Sequence, residues 1–364
     1  MRQLTPTSSP RRILIIITRR IGDVLLATPL IRSVRSAWPN ARLDALVFES
    51  TAGVLAANHD IDRIIAVPER PRFWPHARLI LSLIRRYDLA VSMLTGDRPT
   101  LYAWLAGRHR IGFVEENKSR WKQSLLSHAV AFDNLNTHTV LMNLQLADAL
   151  GITRHYEVVI GWSSAEQDRV GKLLDGPAPY AVLHPYPKFN YKMWHDQGWA
   201  ALAASLSARD LRIVITGGPD PAESAYAQRL LERFPPATMN LAGRLTLAET
   251  ACLLSRARIY IGPDTATTHL AAAMGTPAVA LYGPSNPVKW GPWPRQHRSD
   301  RNPWQRLGSQ RLHNVALIQG NEACVPCLQE GCDRHIGSFS DCLRNLPADK
   351  VIAAANALLA IRAP

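Results

Sequence analysis

Short apolar runs separated by amphipathic stretches set the rhythm of this chain. Residues 13–18, ILIIIT, are continuous, β-branched and too short for a helix, the pattern of a strand buried on both faces. From Val24 to Ala37 the residues Leu26, Leu30 and Val34 recur at helical spacing, until Trp38-Pro39-Asn40 stops the helix. LDALVF (43–48) reads as a second strand, followed by a short helix and the strand-like RIIAVP. A helix near 77–86, the strand DLAVSML (88–94), a helix at 99–106, the run RIGF and a long helix over 137–150 ending at Gly151 continue the alternation. Residues 151–179 turn mixed and polar, close on DGPAP, and read as a linker region.

The alternation then restarts. YAVLHP (180–185) and LRIVITGG (211–218) read as strands, each followed by a helix, near 195–208 and 222–233. TMNLAG, the helix LAETACLLSRA, the strand RIYIGP, a helix from Thr265 to Met274 and the strand AVALYG complete the series. Alternating β and α elements predict parallel, doubly wound sheets. The expected architecture is therefore two α/β domains, 1–165 and 176–346, with an amphipathic helix in 347–364 placed to pack across both.

Charge adds a constraint on partners. The 364 residues carry a formal net charge of +13, which favours an anionic partner such as nucleic acid, a phospholipid surface or a phosphorylated substrate; the plain alternative is a solvated basic face. No nucleic-acid signature accompanies it, so no nucleic-acid partner is expected. The opening MRQLTPTSSPRR has no apolar signal core, and no charge-free run approaches the ~20 apolar residues of a membrane span. These features predict a cytoplasmic protein whose membrane contact is peripheral. Five cysteines, four of them between Cys324 and Cys342, do not suit a secreted disulfide scaffold.

The candidate chemistry gathers where strands run into helices, the ends at which doubly wound sheets bind ligands. TRRIGDVLLATP puts Arg19, Arg20, Gly22 and Asp23 at the first such turn, with Asp23 either a helix N-cap or a general base. GPDTATTHL occupies the equivalent point of the second domain. Thr265, Thr267 and Thr268 stand beside helix N-terminal N–H groups, an arrangement that attracts anions. Asp264 is either a cap or a contact to a sugar, and His269 either a packed helix residue or part of the site. In HPYPKFNYKMW, Lys188 and Lys192 could neutralise a diphosphate, with Tyr186 or Trp194 bordering a base; TGGPDPAE adds another glycine-rich turn. Together these turns point to a nucleotide-sugar site. Asp60-Ile-Asp62 matches a metal-binding DxD only superficially, since it precedes a strand, and reads as a surface turn.

The segments IGDVLLATPLIRSVRSAWPNARLDALV, GDRPTLYAWLAGRHRIGF, KMWHDQGWAAL, TGGP and GPDTATTHLAAAMGTPAVALYGPSNP resemble glycosyltransferase family 9, the ADP-heptose:lipopolysaccharide heptosyltransferases. The resemblance runs from about residue 12 to the C-terminus. It implies a GT-B fold: two Rossmann-like doubly wound domains facing a cleft, the first binding the acceptor and the second the donor. It also implies an inverting, metal-independent transfer of heptose from ADP-heptose to a sugar of the lipopolysaccharide inner core, with no cofactor required for catalysis. The same donor chemistry on a protein or another glycan, and a non-catalytic anion-binding protein, are the alternatives.

By this resemblance Asp23 is the general base, Lys192 lies near the donor phosphates, Asp264 meets the donor sugar, and Thr265 meets the diphosphate. His269 matches the motif histidine; Thr267 at the helix start and Tyr186 bordering the base complete the donor set on the reading of the residues themselves. Arg98, in the matching GDR segment, and Arg20 are the acceptor-side residues, suited to a phosphorylated lipid-linked or core-oligosaccharide acceptor on the anionic inner face of the inner membrane. The chain departs from the family where Asp220-Pro221 follows the GGP turn in place of a glutamate, Glu223 being displaced, and where Tyr-Pro stands in the loop before Lys192. Finally, Cys324, Cys327, Cys332 and Cys342 have the spacing of a structural zinc or iron site; reduced thiols or a disulfide are the other reading, and Cys252 reads as core.

Overall fold

Ile13 to Ile17 are each no more than 1% exposed, in a strand with a parallel neighbour on either side and side chains buried on both faces of the sheet. The computed structural model describes residues 9–115 and 120–360. It divides into two compact units, Met1–Gly161 with Arg298–Asp300, and Trp162–His297 with Arg301–Pro364.

The first unit is built on β1 (Arg12–Ile17), β2 (Arg42–Phe48), β3 (Arg63–Val67), β4 (Tyr87–Ser92), β5 (Gly107–Val114) and β6 (His128–Ala131). They form one sheet in the order β3-β2-β1-β4-β5-β6, parallel throughout. The helix expected over Val24–Ala37 is two, Ile21–Leu25 and Thr28–Ala37. Pro29 is the cause. It has no N–H for the Leu25 carbonyl and its ring crowds that oxygen, which instead accepts the Thr28 hydroxyl at 2.7 Å.

The second unit carries β7 (Tyr180–Leu183), β8 (Arg212–Ile215), β9 (Met239–Asn240), β10 (Ile259–Pro263), β11 (Ala278–Tyr282), β12 (Gln310–Leu312) and β13 (Val315–Gln319). Their order is β12-β13-β11-β10-β7-β8-β9, with only β12 antiparallel. Without β12 this repeats the order of the first sheet. Each unit is thus a Rossmann-like doubly wound layer with a point, β1/β4 and β7/β10, at which the winding reverses.

Two stretches differ from the expected pattern. The polar region 151–179 contains the helix Ser164–Leu174, opened by a capping box in which Ser163 and Glu166 bond reciprocally. Only Val170 and Leu174 are buried on it, while Arg169 reaches Glu249 at 2.7 Å and the Arg244 carbonyl. The last helix, Ala348–Leu359, buries Val351, Ala355 and Leu358. Its neighbours are β10, β11, β13 and the helix Asp196–Ser207, all in the second unit. No described helix is long and apolar enough to cross a membrane.

Candidate active site

At the winding reversal of the second sheet, β7 runs into the loop His184–Lys192 and β10 into Asp264. Lys192 ends a short 3-10 turn, Asn190–Lys192, and sends Nζ to Asp264 Oδ2 at 2.5 Å and to the Asp264 carbonyl at 3.3 Å. Asp264 is 8% exposed, and Tyr282 Oη, from the end of β11, donates to its Oδ1 at 3.3 Å. Burial opposes its charge, but the Lys192 ammonium and the Ser285 hydroxyl hold the carboxyl below its usual range. Asp264 is therefore a carboxylate with directed partners and is not the helix cap.

The cap is Thr265, with extended backbone and no side-chain hydrogen bond onto the first turn of the helix Ala266–Met274. Thr268 instead turns back, its hydroxyl bonded to the Pro263 carbonyl and within 2.8 Å of Tyr260 Oη. Gly262 makes this possible, since a Cβ there would lie 2.1 Å from Tyr260 Oη. The Thr265 hydroxyl, 3.3 Å from Thr268 Oγ1, stands at the positive end of the helix, a place for an anion's oxygens. The helix ends at Gly275, whose φ of 78° suits the left-handed C-cap.

A buried histidine absent from the sequence reading braces this corner. His184, at the end of β7, pairs Nδ1 with Thr216 Oγ1 at 3.1 Å and Nε2 with Thr267 Oγ1 at 3.4 Å. It ties the turn after β8 to the helix carrying Thr265. Thr267 thus serves the scaffold through His184. His269 is buried too, its Nδ1 lacking a hydrogen-bond partner among the described residues. Burial pushes both imidazoles down to about 4, with Asp264 partly opposing this at His269.

Folding therefore holds two histidines neutral at pH 7. Below a pH of about 6.5 the unfolded chain takes up their protons first, so stability falls as pH drops from about 6.5 towards 4. The slope reaches about 1.4 kcal/mol per pH unit for each imidazole. Urea midpoints measured between pH 7 and 5 are expected to fall steadily, and His184→Gln is expected to flatten the profile. A profile unchanged by that substitution would remove His184 from the account.

Tyr186 packs against the core of the second unit, its ring 5.4 Å from that of Tyr226. The turn after β8 holds a further carboxylate. Asp220 caps the helix Pro221–Leu231 through the Ala222 N–H, while Glu223 folds back to accept the Gly218 N–H. Burial, helped by Asp220, raises the Glu223 carboxyl above its ordinary value. The acid displaced in sequence is returned in space to the GGP turn.

In the first unit Asp23 lies inside the first turn of the helix Ile21–Leu25, and the N-cap is the exposed, extended Arg20. The capping role is thus taken from Asp23. Its carboxylate, with a side chain 16% exposed, stands 3.6 Å from Arg19 Nε at the carboxyl end of β1. A hollow of about 680 Å³ lined by Trp38, Asp88 and Arg108 lies instead at the amino ends of the strands, the end at which such sheets do not bind ligands.

The family model described as glycosyltransferase family 9 (heptosyltransferase) matches residues 76–316. The chain belongs to glycosyltransferase family 9. Lipopolysaccharide heptosyltransferase 3 of Escherichia coli is 28% identical over 288 residues, which cover 75% of this chain and 83% of that protein. The solved structure of E. coli ADP-heptose lps heptosyltransferase II superposes with a TM-score of 0.75 at 20% identity, covering 96% of this chain and 98% of that one. E. coli heptosyltransferase WaaC with ADP-2-deoxy-2-fluoro heptose gives 0.64 at 21%, over 87% and 97%. The enzyme is a glycosyltransferase of the GT-B fold.

Other residues singled out in this glycosyltransferase have structural partners. Arg98 Nη1 and Nη2 bind the Glu69 and Pro68 carbonyls at 2.7 and 2.8 Å, Nε binds Tyr102 Oη, and the guanidinium lies 5.3 Å from the Phe48 ring centre. It ties the end of β3 to the helix Asp97–Ala106. Asp60 is buried, not a surface-turn residue, and pairs with Arg32 at 2.6 Å; Asp62 binds Arg35 and the Leu43 N–H. The DxD is a clamp between elements.

Cys324 and Cys332 are exposed, Cys327 half-buried and Cys342 buried, and all four are free thiols. Burial and the three neighbouring thiols push Cys342 up to about 12. Among the described residues no three His, Cys, Asp or Glu side chains are grouped as a metal-ligand set. His184, Tyr282 and Ser285 are not among the candidates that the sequence singles out, and Glu223 stands there only as a displaced acid. Strand-end position was a signal for all but Glu223, whose reach back to Gly218 depends on the helix turn.

Proposed function

We propose that this glycosyltransferase moves heptose from ADP-heptose to a phosphorylated, lipid-linked sugar of the lipopolysaccharide inner core, at an anionic membrane surface and with inversion at the anomeric carbon. The observation that carries the reading is the meeting of Lys192, Asp264 and the helix end at Thr265 at the winding reversal of the second sheet. The names of the relatives, which pair ADP-heptose with lipopolysaccharide, support the donor and the acceptor class.

The parts suggest the division of labour. The leaving diphosphate gains charge in the transition state, and Lys192 with the first-turn N–H groups would stabilise it. Lys192 would exchange part of its bond to Asp264 for a phosphate oxygen, leaving the carboxylate to accept from donor sugar hydroxyls. Asp23 would take the proton of the acceptor hydroxyl as it attacks the face opposite the nucleotide. These roles need no resident metal, and turnover should survive a chelator.

Calorimetric titration with ADP-heptose, ADP, UDP and GDP tests the donor. Binding confined to the adenosine ligands, followed by transfer that inverts the anomeric centre, is expected. Binding of none of the four would end the reading.

A further inference from the structure

Three helices of the first unit, Phe73–Leu83, Asp97–Ala106 and Arg120–Leu125, adjoin one another in that order. They leave large apolar side chains in solvent: Phe73 at 75%, Trp74 at 74% and Leu81 at 68%, with Leu101, Trp104 and Trp121 between 40% and 47%. Every exposed tryptophan among the described residues lies on them. The inward side of the first helix is explained by packing, since Leu83 is buried and Leu79 and Ile80 rest on the core with Tyr102 and Ala103. Its outward side has no such explanation within the unit. Trp74, Arg78 and Leu81 follow one another there at i, i+4 and i+7.

The charge around these side chains is mostly positive, with Glu69 and Glu115 at its borders. Residues 70–110 hold eight arginines against two aspartates. Both aspartates are engaged, Asp88 by the Arg11 and Arg12 N–H groups and Asp97 by Lys122 at 2.6 Å. Arg70, Arg72, Arg78, Arg85 and Arg86, on or beside the first of these helices, are exposed. Tryptophan with flanking arginine is the composition that settles at the boundary between lipid headgroups and acyl chains, where the ring is half apolar and half wet. A second copy of this face would set arginine against arginine, which disfavours a symmetric dimer.

We propose that this face docks the enzyme on an anionic lipid bilayer, Phe73 and Trp74 entering the headgroup region while the arginines meet lipid phosphates. The proposal rests on the transferase reading for its purpose, delivery of the first unit to a lipid-anchored acceptor. The evidence for the surface itself is independent of the donor site.

The test uses the full chain and vesicles of phosphatidylethanolamine with phosphatidylglycerol, against phosphatidylcholine alone. Wild type is expected to float with the anionic vesicles only, in a salt-sensitive manner. Phe73→Ala/Trp74→Ala and Arg78→Glu/Arg85→Glu are each expected to weaken vesicle binding about tenfold or more. Both should retain the wild-type melting temperature and ADP-heptose affinity, and should transfer normally to a deacylated, water-soluble acceptor while slowing on the same acceptor held in vesicles.

Vesicle binding unchanged in both variants, or none in wild type, would overturn the proposal. So would equal loss of transfer to the soluble acceptor, which would assign these side chains to the acceptor pocket. A dimer abolished by the aromatic substitutions, or nucleic acid bound in preference to vesicles, would replace the bilayer as occupant. Failure of wild type to bind ADP-heptose would refute the donor reading and leave the vesicle result standing.

Discussion

Asp23→Asn is expected to lower turnover by about 10²–10⁴-fold while leaving ADP-heptose affinity unchanged. The substitution keeps the shape of the side chain and removes only its ability to take a proton. The Arg19 pair it weakens adds little on its own, being a 3.6 Å approach to a side chain that is 52% exposed. The N-cap position itself is held by Arg20, with Asp23 inside the first turn. A melting temperature equal to wild type, together with collapsed kcat, is the signature of a base. Loss of the acidic limb of the pH–rate profile would agree. Unimpaired turnover would remove Asp23 from the chemistry and reduce the GDV motif to a helix start.

Asp264→Ala is expected to abolish measurable donor binding and to destabilise the second unit. Removing one partner of a buried ion pair typically costs about 3–5 kcal/mol, because the other charge is left behind. Lys192 keeps some access to water, its side chain being 19% exposed, so the lower end of that range applies here. Asp264→Asn keeps one oxygen to accept from Lys192, while its amide N–H can donate to Tyr282 Oη, whose own proton goes to the Trp290 carbonyl; it should recover part of the stability without recovering donor affinity. Urea titration and calorimetry on both variants separate the effects. Full donor affinity in Asp264→Asn would assign the residue to the scaffold alone.

The lysine and the aspartate are 72 positions apart in the chain, and nothing local announces their bond. What made them legible is that each follows a buried strand, and strands wound in the order 3-2-1-4 bring the first and fourth ends together. His184 follows the same strand as Lys192 and carried the same signal, but a lone histidine after an apolar run reads as core. Glu223 was hidden for another reason. Its distance from the GGP turn in sequence is cancelled by the first turn of a helix that Asp220 caps, bringing the carboxylate back to Gly218.

The fold divides along similar lines. Parallel strands buried on both faces must be continuous and apolar, so β1, β4, β10 and β11 are visible as runs. The helix Ser164–Leu174 buries only two residues and was submerged in polar sequence, although its Ser163–Glu166 capping box was there to be read. The short β6 and the antiparallel β12 depend on their neighbours for existence and left no pattern of their own.

Sequence alone determined the alternation of elements, the two sheets, the family and the strand-end positions of the chemistry. These follow from local periodicity and motif spacing, which the chain carries along its length. Tertiary structure decided which charged and polar side chains are already engaged. Arg98 on two carbonyls, the Asp60 and Asp62 pair on Arg32 and Arg35, and Thr267 on His184 are engaged by partners far away in sequence. It also decided which tryptophans remain in water, because burial is a property of neighbours and not of the residue.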